Sequence, residues 1–396
     1  MPRLRLAPLD YAAAMGFLAY SSSAVVTPIA LLILARELSF GLAAGGLLEV
    51  MRAVLILAVM LTSAFAAARW GKANVLGVGS LVLGCGLMLY AISPTYGTIL
   101  LAMGLVGVGG GFVEALTNPL VQELHPNDSG RYLNFANGFW SIGVLVTVLI
   151  GGELLTQGVS WRFVVAGVGA MSIVAGLLYL SLRRGGVVVA DVTSRHVLGH
   201  KRDILLARKF WLFAVAMFLA GGVEGGFTFW IASYLQLHYD ALPRAGGIGT
   251  ACFAAGMIVG RIGGGWWAHQ HRLRPLLIGS AAAALVMSLL VPMAPNLGTA
   301  YVMLAFAGLT IACFWPSIQS YAVDRMSVDM TSLFILLSCA GIPGFAFTAW
   351  LMGIVGDHAG LHASFLILPG MVVLLLVTLL VDGKPGNERP SSTVER

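Results

Sequence analysis

The stretch YGTILLAMGLVGVGGGFVEALTNPLVQE, residues 96–123, decides the class of this protein. It is longer than the roughly 20 apolar residues that a helix needs to cross the hydrocarbon core of a bilayer. An acidic side chain, Glu114, nevertheless lies inside it. A charged group at the bilayer centre costs about 2.5–3.5 kcal/mol on insertion scales, so it needs a partner, a cavity or a function. The stretch therefore predicts a membrane-spanning helix that carries part of a functional site.

The rest of the 396-residue chain repeats this pattern. Hydrophobic residues make up 58% of the chain and charged residues 10%, whereas about 25% of residues are charged in ordinary soluble domains. Turns rich in Gly, Pro and charge separate the apolar segments, so we predict an all-α membrane protein with twelve transmembrane helices. The segments are residues 10–35, 42–68, 73–92, 96–123, 130–156, 159–182, 209–236, 244–268, 273–293, 297–323, 329–355 and 360–382.

A basic and polar connection divides the twelve segments into six and six. We predict an N-terminal half at 1–182, a cytoplasmic linker at 183–208, and a C-terminal half with a short cytoplasmic tail at 209–396. A faint internal repeat supports this division, because Asn-Pro-Leu-Val-Gln at 118–122 parallels Trp-Pro-Ser-Ile-Gln at 315–319. Two pseudo-symmetric halves around a central cavity are the usual design of a secondary transporter.

The distribution of basic residues predicts the orientation of the chain. Most of the 23 Lys and Arg residues fall in connections that share one side of the membrane if both termini are cytoplasmic. We therefore expect a multi-pass protein of the plasma (inner) membrane with cytoplasmic N- and C-termini. No small-residue cleavage site follows the first segment, so we expect it to be retained. The net charge of +6 then reflects topology, and no nucleic-acid partner is expected.

The polar side chains of the fourth segment lie on one helix face. Asn118 and Gln122 follow Glu114 at i+4 and i+8, and we predict that both amides bind substrate. Burial disfavours the charged form of a carboxylate and so suits it to bind and release a proton. Glu114 is therefore predicted to be an ion-coupling or sugar-binding carboxylate, and the alternative is a polar contact between helices.

Glu224 is the corresponding candidate in the seventh segment, where neighbouring glycines allow close approach of a ligand or a backbone. We predict that it couples ions or binds substrate. Trp230 follows six residues later and could supply an aromatic platform for the C–H face of a sugar. The alternative for Trp230 is a place at the lipid interface.

Two arginines also lie within spans. Arg52 follows Glu49 by three residues, so the two can pair on one helix and neutralise each other. In the alternative interpretation, both face the cavity and Arg52 binds a coupling carboxylate or an anionic solute. Arg261 lies near the end of the eighth segment, and there we favour a structural or gating role over substrate contact.

Several motifs resemble those of the major facilitator superfamily. Residues 64–72, Ala-Phe-Ala-Ala-Ala-Arg-Trp-Gly-Lys, are similar to its conserved hairpin, with Ala64 and Ala68 in place of a Gly and an Asp. The run at 109–119 followed by 134–143 resembles the fucose–proton symporter branch, and 224–230 and 256–261 resemble its seventh and eighth helices.

This resemblance implies the major facilitator fold and further site residues. Asn137 and Trp140 would face the cavity from the fifth segment, and Trp315 and Gln319 would do so from the tenth. Pro316 lacks a backbone N–H and would permit a gating bend there. Further gating residues are implied in the hairpin and the eighth segment, namely Arg69, Lys72 and Arg261.

We therefore expect a transporter and no enzyme. The predicted activity is cation-coupled symport, with a proton favoured over sodium, of a sugar or similar polar solute by alternating access. The direction rests on the family resemblance. The alternative is a proton-coupled antiporter that exports a drug or metabolite. No cofactor or metal is expected, the partners are a small polar solute and the lipid bilayer, and the chain is expected to act as a monomer.

Overall fold

A computed structural model describes residues 6–125, 129–182, 204–267, 273–326, 328 and 330–382. These residues form helices and no strands. The helices are α1 Pro8–Leu38, α2 Leu42–Trp70, α3 Lys72–Ile92, α4 Tyr96–Leu124, α5 Ser129–Thr156, α6 Trp161–Leu182, α7 Arg208–His238, α8 Pro243–Trp267, α9 Leu273–Leu290, α10 Leu297–Ile311, α11 Phe314–Arg325, α12 Met330–Ala359, α13 Leu361–Ser364 and α14 Ile367–Val381.

These helices make twelve spans that are long and apolar enough to cross a membrane, which confirms the number predicted from the sequence. Two of these spans are interrupted, the tenth between α10 and α11 and the twelfth between α13 and α14. The tenth breaks at Ala312 and Cys313, between α10 and α11, one turn before Pro316. Because proline has no N–H to donate to the carbonyl four residues earlier, it weakens the helix at this point. The break therefore has a local cause in the sequence.

Each half of the chain builds its own apolar core. One cluster consists mostly of side chains from α1–α6, such as Phe17, Val106 and Tyr179. The other consists mostly of side chains from α7–α14, such as Phe227 and Phe314. Most of the predicted linker, residues 183–203, and the predicted tail from residue 383 onwards lie outside the described residues.

The two halves pack together mainly at one end of the bundle. We call it the α1–α2 end, because it contains the connection at 39–41, and we call the opposite end, which contains Gly71, the α2–α3 end. Helix α2 packs on α12, α5 on α8 and α1 on α7. Glycines allow the closest approaches: a Cβ at Gly46 would lie 2.6 Å from the Ala349 oxygen. The α1–α2 end is thus closed by direct backbone contact.

Polar contacts reinforce this closure. The Asp357 carboxylate of α12 accepts hydrogen bonds from the backbone N–H groups of Leu42 (2.7 Å) and Ala43 (2.9 Å), at the N-terminus of α2. A negative charge is favourable at that position of a helix. Arg244 of α8 binds Glu153 of α5 through two hydrogen bonds of 2.5 and 2.8 Å. Both of these polar contacts between the halves lie at the α1–α2 end.

Candidate functional site

Helices α1, α2 and α4 bring four polar side chains together inside the N-terminal half. Arg52 Nη1 donates to Glu49 Oε1 at 2.6 Å, and both residues are at most 5% exposed. The Arg52 guanidinium lies over the Tyr20 ring, 5.7 Å from its centroid. The Tyr20 hydroxyl in turn faces the carboxylate of Glu114. We call Tyr20, Glu49, Arg52 and Glu114 the acid cluster.

The acid cluster contains two carboxylates and one guanidinium. Glu49 forms the direct ion pair with Arg52, whereas Glu114 faces the neutral hydroxyl of Tyr20. The guanidinium Nε is buried and has no hydrogen-bond partner among the described residues. The cluster therefore holds one more carboxylate than guanidinium.

The structure also joins two of the predicted amides. Asn137 Nδ2 of α5 donates to Asn118 Oδ1 of α4 at 3.0 Å, and to the Leu133 carbonyl at 2.8 Å. Asn118 is partly exposed and Asn137 is exposed. Gln122 lies one turn further along α4 and is also exposed. The amides thus remain accessible on the α4–α5 surface.

A cavity lies where α5 of the N-terminal half meets α7 and α8 of the C-terminal half. It is lined by Trp140, Ser141, Val144, Glu224, Thr228, Thr250, Phe253, Ala254, Met257, Ile258 and Arg261. Inside it, Arg261 Nη2 donates to Glu224 Oε1 at 3.2 Å. Glu224, Trp140 and Arg261, which the sequence singled out separately, therefore meet in one place. Arg261, predicted to be structural or gating, lines the cavity itself.

Trp230 lies elsewhere. It is fully buried in the C-terminal core, and its indole N–H donates to the Ala349 carbonyl at 2.9 Å. This burial corrects the prediction of an aromatic platform, because the ring has no face exposed to a cavity or to lipid. Trp230 is buried because Gly225 and Gly226 allow α7 to pack closely against other helices of the C-terminal half.

The residues predicted on the tenth span contact α12. The Trp315 ring packs against Gly341. Gln319 Nε2 donates to Ser338 Oγ at 3.0 Å and to the Phe334 carbonyl at 3.3 Å. Neither residue lines the described cavity. Pro316 is exposed in the first turn of α11.

The two hairpin residues predicted to gate the pathway stay within the N-terminal half. The Arg69 guanidinium lies 5.7 Å from the centroid of the Trp70 ring. Lys72 forms an ion pair with Glu123 at the end of α4. In the part of the chain that is described, neither residue makes a polar contact to the C-terminal half.

Sequence reasoning missed several residues of these sites. Tyr20 completes the acid cluster, and its signal was the polar run Tyr-Ser-Ser-Ser at 20–23 inside an apolar segment. Thr228 lines the cavity one helical turn after Glu224, a spacing that places both on one face. Ser141 and Thr250 left no such local signal, because each stands alone between apolar neighbours.

Comparison with known proteins places the chain in a family. The family profile described as Major Facilitator Superfamily matches residues 12–342 and 243–396. Protein TsgA of Escherichia coli O157:H7 is 22% identical over 309 residues, which cover 74% of each chain. The MFS transporter L2 of a Phoma species is 32% identical over 96 residues. That match covers 24% of this chain and only 16% of the relative.

Solved structures share the fold. A bacterial homologue of the human lysosomal transporter Spinster, in an inward-facing and occupied conformation, has a TM-score of 0.78 with 14% identity over 94% of this chain and 96% of its own. The nucleoside transporter NupG has a TM-score of 0.77 with 14% identity, over 94% and 98% of the two chains. A D-xylose–proton symporter has a TM-score of 0.73 with 14% identity, over 94% and 97%.

Proposed function

Because the chain belongs to the Major Facilitator Superfamily, we propose that it is a proton-coupled symporter of a small polar solute that works by alternating access. The observation that carries this proposal is the charge imbalance of the acid cluster. Two carboxylates share one guanidinium there, so one of them gains stability by binding a proton. A protein that must carry a proton through a membrane needs such a group.

Glu114 is the proposed proton carrier. Glu49 is fixed by its 2.6 Å ion pair with Arg52 and is buried, whereas Glu114 is partly exposed and contacts a neutral hydroxyl. A partly exposed carboxylate can exchange its proton with the solution when its side of the pathway is open. Arg52 then holds the cluster together in both protonation states of Glu114, because Glu49 keeps it neutralised.

Support for a polar solute comes from the accessible amides and the hydroxyl groups of the cavity. Asn118, Asn137, Ser141, Thr228 and Thr250 offer donors and acceptors that a hydroxylated molecule requires. Two solved structures with the same fold are a nucleoside transporter and a D-xylose–proton symporter, and nucleosides and D-xylose both carry several hydroxyl groups. The resemblance of residues 109–143 to the fucose–proton symporter branch favours uptake.

The test is uptake into proteoliposomes. Labelled D-xylose, uridine and a set of other sugars would be offered under an imposed pH gradient or an imposed Na⁺ gradient. We expect accumulation of a solute under the pH gradient. Glu114→Gln should abolish accumulation but keep gradient-free exchange of the solute. Asp240→Asn is the matched control, because it removes one carboxylate charge from the exposed α7–α8 connection and should behave as wild type.

Undiminished gradient-driven accumulation by Glu114→Gln would contradict the proposal. Accumulation driven only by the Na⁺ gradient would show that sodium, and not the proton, is the coupling ion. Proton movement opposite to that of the solute would identify an antiporter and overturn symport.

A further inference from the structure

Arg261 is an under-coordinated arginine inside a cavity. Its one hydrogen bond among the described residues, to Glu224, is 3.2 Å long, whereas charge-assisted N–H···O bonds typically measure about 2.7–2.9 Å. Its side chain is 37% exposed. Arg162, by contrast, donates to two carbonyls and a carboxylate. Most of the five N–H donors of the Arg261 guanidinium therefore have no partner among the described residues and can bind a ligand.

The surroundings of Arg261 suit a ligand with an apolar or ring-shaped body. Trp140, Phe253 and Met257 supply apolar wall, and Thr228 supplies a hydroxyl close to Glu224. The body of a ligand can pack on these apolar side chains while its polar groups reach Arg261, Glu224 and Thr228.

The charge balance indicates what the ligand carries. Arg261 is the one basic side chain among the described residues that line the cavity, and Glu224 is the one acid. Glu224 contacts the guanidinium through a single oxygen. A carboxylate is the ligand that a guanidinium holds best, through two parallel hydrogen bonds. Glu224 thus occupies part of a site that a solute carboxylate can occupy more completely.

We propose that this cavity binds an organic solute through a carboxylate group held by Arg261, with Glu224 as the competing internal ligand. The inference rests on the proposed transport function and names the class of its substrate, an organic acid. The body of the solute lies against Trp140 and Phe253. Glu224 sets the affinity, because the solute must share or displace its contact with the guanidinium.

Equilibrium binding to the protein in lipid nanodiscs tests this without any ion gradient. Two pairs of probes differ mainly in the charged group: D-glucuronate against D-glucose, and phenylacetate against 2-phenylethanol. The first pair tests a sugar body and the second an aromatic body. We expect at least one carboxylate to bind about 10- to 100-fold more tightly than its neutral partner, the range expected for hydrogen bonds to a charged group.

The variants separate the two members of the pair. Arg261→Gln should abolish the preference for the carboxylate, and Arg261→Lys should retain part of it. Glu224→Gln should tighten carboxylate binding, because the internal competitor loses its charge. Arg36→Gln is the matched control, since Arg36 is exposed in the last turn of α1. Thermal unfolding of each variant establishes that it is folded.

Three results would overturn the proposal: neither carboxylate binds better than its neutral partner, Arg261→Gln keeps the preference, or Glu224→Gln weakens it. Failure of proton coupling would look different. Carboxylate binding would then still depend on Arg261, but no solute would accumulate under a pH gradient in proteoliposomes.

Discussion

Replacing Gly46 or Gly353 by alanine should open the α1–α2 end of the bundle. A Cβ at Gly46 would lie 2.6 Å from the Ala349 oxygen and from the Trp350 Cα, and a Cβ at Gly353 would lie 2.5 Å from the Leu42 oxygen. Ordinary contact begins at 3.4 Å. Helices α2 and α12 belong to different halves, so they must separate by roughly 0.8 Å to accept either methyl group.

The cost falls only on the conformation in which α2 and α12 are packed. Overpacking of this kind costs about 1–3 kcal/mol. That free energy changes the ratio between the closed and open α1–α2 end by a factor of roughly 5–150. Each half keeps its own core, so the thermal stability of the halves should change little.

Distances between two nitroxide labels measure the population directly. Ile92 in the N-terminal half and Met293 in the C-terminal half are 75% and 73% exposed near the α1–α2 end, and each can be replaced by a labelled cysteine. Double electron–electron resonance should show a new population at longer distance in both alanine variants. The native cysteines must first be replaced: Cys85, Cys252, Cys313 and Cys339.

Gly109→Ala is the control for this experiment. A Cβ at Gly109 would lie 2.5 Å from the Gly79 oxygen, and both residues belong to the N-terminal half. This variant should lower the melting temperature without changing the distance distribution. The reasoning would be refuted if folded Gly46→Ala and Gly353→Ala proteins kept the wild-type distribution, or if Gly109→Ala shifted it equally.

Three further substitutions test other contacts. Arg52→Met removes the one base between Glu49 and Glu114 and should destabilise the protein by about 3–5 kcal/mol. Thermal unfolding in detergent measures this loss, and an unchanged melting temperature would contradict the buried ion pair. Trp230→Phe removes the indole donor to the Ala349 carbonyl and leaves space in the core, so it should cost about 1–3 kcal/mol with little change in KM. A raised KM at normal stability would instead indicate that this residue contacts the solute. Asp357→Ala removes two hydrogen bonds at a helix N-terminus, worth about 0.5–2 kcal/mol, and should lengthen the same label distance as the glycine variants; a shortened distance would contradict the closing role.

The acid cluster shows which contacts the spacing of residues along one helix predicts and which it does not. Glu49 and Arg52 are three residues apart, so their pairing follows from helix geometry alone and is confirmed at 2.6 Å. The spacing of Glu114 and Asn118 places both on one face of α4. Their partners, Tyr20 and Asn137, belong to other helices, and the depth and rotation at which helices meet are not encoded in the spacing of either one.

The environment of Trp230 also could not be predicted from its position in the sequence. An aromatic residue six positions after an acid is compatible with a cavity, a lipid interface or a core. Because α7 packs closely at Gly225 and Gly226, the Trp230 ring lies in the core. Conversely, Arg261 looked peripheral because it lies far along α8, but Glu224 of α7 reaches it across the helix pair.

The sequence by itself determined the class of this protein: twelve apolar segments and a small number of ionisable groups that the bilayer makes costly. Those properties depend on composition and local period, which a linear chain displays directly. Only the tertiary structure decided which polar groups meet, that the halves close at the α1–α2 end, and that Trp140, Glu224 and Arg261 share one cavity. Such contacts arise because glycines and prolines set how closely helices approach and where they break, and the outcome depends on all twelve spans packing at once.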